Sequence, residues 1–339
     1  MVKTIKIKGA GGDSHIIIGE SLLNLGSYVP VEKTVIITDT NVWKWYGKVF
    51  PPCRVIKIEP GEKAKNLDTV LDIYEKLLES EVDRSFFIVG IGGGVVCDIA
   101  GFAASTFLRG VRFGFVSSTL LSQVDASVGG KNGVNLGGYK NLVGVSNQPE
   151  FVICDLSLLE TLPRRELLNG FAEIIKHAAI CDIELFAFLE DNHDKALALD
   201  RDVIGKMVYD SIRIKSMIVS RDEKEKGERR KLNFGHTYGH AFEKSMGILH
   251  GEAISAGMIN ASRLSVKKGL LKEEEFERLK RLVELFGLPV ELPCDRIKVI
   301  DAVKKDKKRD NLSLHFVFLS GIGSAVVKEI LISELEKEI

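Results

Sequence analysis

No sign of charge dominates this chain. Its 47 Lys and Arg residues balance 47 Asp and Glu, so no global basic field gathers nucleic acid and any anion site has to be built locally. No apolar run reaches the roughly eighteen residues of a membrane span. The opening MVKTIKIKGAGG alternates like a strand and lacks the apolar core of a signal peptide. A cytosolic protein with small-molecule partners is expected, without nucleic acid or membrane. Cys53, Cys97, Cys154, Cys181 and Cys294 are odd in number and never spaced CxxC, which argues against a disulfide frame and a thiolate zinc site. Any metal would need His and carboxylate ligands. Internal repeats and low-complexity tracts are absent.

What is present is an ordinary globular composition, 45% apolar and 28% charged over 339 residues, long enough for two domains. Strands are expected at 2–8 and 15–18, Thr34 to Thr38, Arg54 to Ile58, Phe86 to Val89, Phe113 to Val116 and Phe151 to Cys154. Between them, Leu67, Val70, Leu71, Tyr74, Leu77 and Leu78 fall at helical spacing. Alternation of this kind points to a doubly wound sheet.

The run Gly90-Ile91-Gly92-Gly93-Gly94 followed by a helix from Val95 to Phe107 is an arrangement that aims free N–H groups at a pyrophosphate. Tight strand-to-helix turns use glycine as well, and the spacing is not GxGxxG. Asp98 sits one turn into that helix, where a carboxylate suits the dipole or reaches a ligand amide. Further on, Asp125, Lys131, Lys140 and Asn141 lie in a Gly/Ser/Asn-rich stretch with few neighbouring charges. Either both lysines meet an anion or the stretch is an exposed loop.

From Leu158 to Leu288 nearly every segment has helical period. Glu173 and Lys176 sit one turn apart beside His177, and read alone they form an ion pair. The segment NFGHTYGHAFEKSMGILHGEAISAG, Asn233 to Gly257, draws most attention. As one helix it would put Asn233, His236, His240 and Glu243 on a polar stripe. Imidazoles at i and i+4 can share a metal, with His250 just beyond, although a His-rich surface helix fits the same pattern. Gly235 and Gly239 cost such a helix about 1 kcal/mol each, which suggests close approach by another backbone or a ligand. Gly287-Leu288-Pro289 and Leu292-Pro293 mark a linker, KKDKKRD reads as surface, and His315 to Leu319 with Ala325 to Val327 reads as a hairpin.

The strings GGGVVCDIAGFAASTFLRGVRF, STLLSQVDASVGGK, KNLVG, LPRRELLNGFAEIIKHA, LNFGHTYGHAFE and HGEAISAGM resemble, in order and spacing, the 3-dehydroquinate synthases. The resemblance runs from about Asp39 to Gly323. It implies an α/β Rossmann-like NAD domain at 1–157, a mainly α-helical metal- and substrate-binding domain at 158–339, an active site in the cleft between them, and a homodimer. The implied activity converts 3-deoxy-D-arabino-heptulosonate 7-phosphate to 3-dehydroquinate and phosphate, a lyase step of the shikimate pathway. It proceeds through transient oxidation by NAD, phosphate elimination, re-reduction and aldol closure.

By the same matching the ligands of one divalent metal, zinc or cobalt, fall on Glu173, His236 and His250, which displaces the HxxxH reading. Asp39, Asn41, Glu62, Lys65, Gly93, Gly94, Asp98, Ser118, Thr119, Leu121, Asp125, Lys131, Lys140 and Thr161 match cofactor positions. Asp125, Lys131, Asn141, Lys176, Lys215, Arg229, Asn233, His240 and Lys307 of the Asp306-Lys307-Lys308 run match substrate positions. Lys131, Lys176, His240 and Asn141 are implied around the phosphate, Lys215 and Arg229 at the carboxylate. Arg109 matches an arginine lent by the partner subunit.

Three departures stand out. Asn132 replaces an expected Thr after Gly-Gly-Lys, Val145-Ser146-Asn147 replaces an aromatic-containing segment, and His236 and His250 are two residues closer than in many members. The rivals are another sugar-phosphate cyclase such as a 2-deoxy-scyllo-inosose synthase, an NAD- and metal-dependent glycerol or alcohol dehydrogenase, and a non-catalytic binding protein. Lys215 with Arg229 argues against the first, the phosphate-facing lysines against the second and the intact ligand set against the third.

Overall fold

The computed structural model describes residues 2–9, 12–222, 225–293 and 313–338. The chain divides into two compact units, Met1–Pro163 and Arg164–Ile339.

In the first unit β1 (Lys3–Gly9), β2 (Gly12–Ile18), β3 (Thr34–Asp39), β4 (Arg54–Ile58), β5 (Phe87–Gly92), β6 (Arg112–Ser117) and β9 (Phe151–Cys154) form one sheet in the order β1-β2-β9-β6-β5-β3-β4. Only β1 and β2 pair antiparallel; every other neighbouring pair is parallel. Parallel strands need cover on both faces and therefore read as continuous apolar runs. Thr34 to Thr38 and all of β5 are buried accordingly. Ile36, Ile37, Ile88 and Val89 are 0% exposed, each side chain contributing roughly 1.5–3 kcal/mol by leaving water.

Helix α2 (Leu67–Glu79) starts where the Asn66 side chain accepts from the Thr69 N–H at 2.9 Å, and it buries Val70, Ile73 and Leu77. Helix α1 (Thr40–Tyr46) is capped in the same way by Asp39. Helix α3 (Gly94–Thr106) is apolar almost all round and buried to match. Here the glycine run departs from the expected turn. β5 continues through Gly90 and Gly92, leaving Gly93 alone between strand and helix. The reason is packing: a Cβ on Gly90 would come 2.9 Å from the Ala100 Cβ of α3.

The Gly/Asn-rich stretch is also ordered. A π-helical turn, Ser122–Ala126, leads to a hairpin of β7 (Lys131–Leu136) and β8 (Tyr139–Ser146). Its two-residue turn, Gly137-Gly138, has φ of 59° and 80°, the left-handed pair that twists correctly for a hairpin.

In the second unit α4 (Arg164–Cys181) is buried along most of its length. It packs against α5 (Ile183–Leu197), α6 (Arg201–Arg221), α8 (His250–Lys267) and α9 (Glu273–Leu285). Helix α7 (His236–Met246) packs on α8, and a hairpin of β10 (Ser313–Gly321) and β11 (Ser324–Leu331) precedes α10 (Ile332–Glu338). The segment Asn233 to Gly257 is therefore not one helix. Asn233 ends a 3-10 helix, Glu228–Asn233. Gly235 turns left-handed at φ 78° to start α7, and Gly247 at φ 65° ends it. The glycines serve backbone approach: a Cβ on Gly257 would lie 2.2 Å from the Gly235 carbonyl oxygen, and one on Gly239 3.2 Å from the Ala253 carbonyl oxygen.

Candidate active site

In the second unit, Glu173, His236 and His250 bring one ligand atom each to within 4.8 Å of one another. Glu173 comes from the buried face of α4, and the histidines are the first residues of α7 and α8. The Glu173 Oε1 lies 3.4 Å from His250 Nε2 and 3.8 Å from His236 Nε2. Each Nδ1 faces an oxygen: that of His236 the Phe234 carbonyl at 3.1 Å, and that of His250 the Glu243 carboxylate at 3.5 Å. A donor held on Nδ1 leaves the Nε2 lone pair pointing inward, the usual orienting device around a metal-ligating histidine.

Glu173 is 0% exposed, and among the described residues neither of its oxygens has a hydrogen-bond partner. The Lys176 ammonium touches Oε2 as an ion pair. A buried carboxylate left this way fits a cation: two imidazoles and one carboxylate are a known zinc donor set that leaves a position open for substrate. His240, the other half of the HxxxH pair, is exposed and not in this group. Its ring centroid lies 5.2 Å from that of His236 and 6.4 Å from that of His250.

Electrostatics follow from the same contacts. Burial opposes the Glu173 charge, yet Lys176, His250 and His236 hold its carboxyl well below the ordinary value. Burial and the Lys176 charge keep His236 neutral by pushing it well below 6.5, against the pull of Glu173. Burial also opposes charge on His250, but Glu173 and Glu243 outweigh it and raise this imidazole to about 9. Lys215 on α6 and Arg229 on the 3-10 helix are buried cations, 7% and 5% exposed, on elements that pack together. Asn233 donates to Glu225 Oε1 at 2.6 Å.

In the first unit, Gly93 and Gly94 open α3, whose first turn has no side-chain cap. Their lack of side chains also serves packing, since a Cβ would meet Thr119 Cγ2 and Ala126 Cβ respectively at 2.9 Å. Ser118 donates its N–H to the Gly92 carbonyl at 2.8 Å. Lys65 and Asp98 form a buried ion pair with each other. Asp39 accepts the N–H groups of Asn41 and Val42 at 2.8 and 2.9 Å; burial raises its pKa in spite of both.

Thr161 bonds the Tyr46 hydroxyl at 2.7 Å. Asp125 lies half-buried in the π-helical turn that follows Leu121, and Lys131, Lys140 and Asn141 are exposed on the hairpin. Arg109 is exposed on a turn where Leu108 and Arg109 have φ of 50° and 65°, a conformation such residues rarely hold. Lys307 lies outside the described residues.

Two residues outside the expected set organise those inside it. Asn135 donates from Nδ2 to Glu62 Oε1 at 2.8 Å, accepts the Asn141 N–H on Oδ1 at 2.9 Å and gives its own N–H to the Lys65 carbonyl at 2.9 Å. Nothing in its sequence neighbourhood singles it out beyond the polar texture of the stretch. Glu243, which orients His250, lies one helical turn after His240, and its place on the polar stripe was the available signal.

A doubly wound parallel sheet joined to a helical unit that presents a Glu-His-His cluster defines the class of cyclases built like dehydroquinate synthase. Two solved structures of that class are similar throughout. One is a 2-epi-5-epi-valiolone synthase from Streptomyces hygroscopicus with NAD+ and Zn2+ bound, 27% identical with a TM-score of 0.89, covering 99% of this chain and 98% of that one. The other is a 2-deoxy-scyllo-inosose synthase complexed with carbaglucose-6-phosphate, NAD+ and Co2+, also 27% identical with a TM-score of 0.87, covering 99% and 98%. Family models narrow the class: 3-dehydroquinate synthase N-terminal matches residues 55–169 and 3-dehydroquinate synthase C-terminal matches 170–309. The 3-dehydroquinate synthase of Geobacter metallireducens is 43% identical over 314 residues, covering 89% of this chain and 86% of its own length. The chain belongs to the 3-dehydroquinate synthase family.

Proposed function

We propose that this protein is a lyase converting 3-deoxy-D-arabino-heptulosonate 7-phosphate to 3-dehydroquinate and phosphate, with NAD and one divalent metal, zinc or cobalt. The observation that carries the reading is the buried, ion-paired but hydrogen-bond-free Glu173 carboxylate facing two oriented imidazoles, in a chain of this family. When bound, the metal would make substrate hydroxyls more acidic and the nicotinamide would take up and return a hydride.

This chain's own residues do the rest. Glu173, His236 and His250 hold the metal, and Glu243 and the Phe234 carbonyl keep both imidazoles turned toward it. Lys176 neutralises part of the Glu173 charge and supplies a cation for the substrate phosphate, beside which His240 adds a hydrogen-bonding group, and Lys307 falls on a further substrate position. Lys215 and Arg229 clamp the substrate carboxylate, Arg in bidentate fashion, with Asn233 beside them. A lysine and an arginine on neighbouring elements suit a carboxylated substrate better than a neutral sugar.

In the first unit Asp39, Asn41, Glu62, Lys65, Gly93, Gly94, Asp98, Ser118, Thr119, Leu121, Lys140 and Thr161 hold NAD. Asp125 and Lys131 face both cofactor and substrate, and Asn141 faces the substrate. Arg109, exposed on its left-handed turn, would reach into the site of a second copy, which makes the working form a homodimer. None of the described helices is long and apolar enough to cross a membrane.

The test is a turnover assay of the purified protein with NAD and zinc or cobalt. Release of inorganic phosphate from the heptulosonate phosphate without net NADH is expected. Steady NADH formation with glycerol, or turnover of glucose 6-phosphate instead, would transfer the protein to a dehydrogenase or another cyclase.

A further inference from the structure

Asn132 and Asn147 are joined by a hydrogen bond. Asn132 is 5% exposed, and its Nδ2 donates to the Asn147 carbonyl at 2.9 Å and to the Gly130 carbonyl at 3.1 Å. The Asn147 N–H donates to that same Gly130 carbonyl at 2.8 Å. The Asn147 side chain in turn donates to Ser105 Oγ on α3 at 3.0 Å. Helix α3 makes room for this arrangement with Gly101, where a Cβ would come 2.1 Å from Asn132 Oδ1.

We propose that Asn132, anchored through Asn147 to Ser105, is a positioning residue for Lys131. The proposal rests on the reading of Lys131 as a cation for cofactor and substrate. Lys131 follows Gly129 and Gly130, at φ 104° and 68°, and two glycines leave the entry to β7 with great backbone freedom. Consecutive strand residues face opposite sides, so Lys131 is exposed where Asn132 is buried. Pinning the buried neighbour fixes the point and direction at which the lysine leaves the sheet. An asparagine amide carries two hydrogens, and here each meets a carbonyl. A threonine hydroxyl carries one on a shorter, branched stem, so it could serve only one of the two. Asn132 and Asn147 thus act as one device linking the hairpin to α3.

The test compares Asn132→Thr, Lys131→Ala and the double variant with the wild-type holoenzyme. Asn132→Thr should lower kcat for phosphate release about tenfold while the KM for the heptulosonate phosphate moves less than about threefold. In the Lys131→Ala background it should add less than about twofold, because residues acting as a unit are not additive. Ser105→Ala, which removes only the anchor, should lower kcat about threefold in the same KM-neutral way. Additive effects of positions 131 and 132, or wild-type kcat in both Asn132→Thr and Ser105→Ala, overturn the proposal. A readout without substrate separates it from the reading of the activity: amide hydrogen exchange over residues 128–135 should quicken about tenfold in Asn132→Thr, the parallel sheet remaining unchanged. Unchanged exchange there overturns the positioning role even if the wild type turns over. A wild type that releases no phosphate refutes the activity while the exchange measurement still judges Asn132.

Discussion

The two units hold their candidate residues in different ways. In the second, ligands sit at the starts of α7 and α8 and on the buried face of α4, and bare backbones set the spacing between α7 and α8. In the first, a hairpin is laced to the chain after β4 by hydrogen bonds, the Asn135 side chain holding the Glu62 carboxylate and the Asn141 N–H while its backbone N–H holds the Lys65 carbonyl. Close-packed interiors barely yield to an added methyl, whereas an amide lattice at a half-exposed surface gives way by degrees. The metal centre should therefore fail all at once and the cofactor side in steps.

The sharpest way to test this contrast is Glu173→Ala. It removes a ligand and leaves Lys176 buried beside a void, so metal content measured by atomic absorption should fall below about a tenth per chain and phosphate release to background. A variant that keeps its metal would break the account of the centre. Gly257→Ala comes next: its methyl would press on the Gly235 carbonyl oxygen 2.2 Å away. A stability loss of about 3 kcal/mol, seen as a lower midpoint in denaturant, should accompany weakened metal binding. Lys215→Met should raise the KM for the carboxylated substrate about thirtyfold, the loss of a charged hydrogen bond worth about 2 kcal/mol, with metal content unchanged.

Asn135→Ala belongs to the other regime. An approximately tenfold weaker affinity for NAD by fluorescence titration, with a thermal midpoint within a few degrees of wild type, is expected; a collapse as large as that of Gly257→Ala would erase the contrast. Smallest is a pH effect. His250 is raised from 6.5 to about 9, so in the metal-free protein its charge stabilises the fold fully below pH 6.5 and this contribution disappears as pH rises through 9. Metal displaces that proton, so affinity should climb over the same window with proton release detectable by calorimetry in two buffers. Glu243→Gln should shift the window to lower pH.

Much of the parallel sheet is legible in the sequence because a doubly covered strand writes itself as an unbroken apolar run, as Thr34 to Thr38 and Phe151 to Cys154 do. Residue order and spacing also carry the family, and with it the expectation of Glu173, His236 and His250 as one set, which the structure brings to within 4.8 Å of one another, where helical spacing alone pointed to His236 with His240. Less legible is whatever depends on a partner element. The break at Gly235 makes sense only with Gly257 pressed against it, and β5 runs through Gly90 only because Ala100 packs there. Hairpin β7–β8 hid behind the low strand propensity of Asn and Gly, although Leu136-Gly137-Gly138-Tyr139 carried a turn signal. Asn135 works through tertiary contacts that no local pattern announces.

The seam between α7 and α8 bears on the short span between the two histidines. Since glycine-to-backbone contact fixes how those helices lie, the link from Gly247 to Leu249 merely returns the chain and does not set the distance between the imidazoles. Two residues inserted after Ile248 should therefore leave the centre intact.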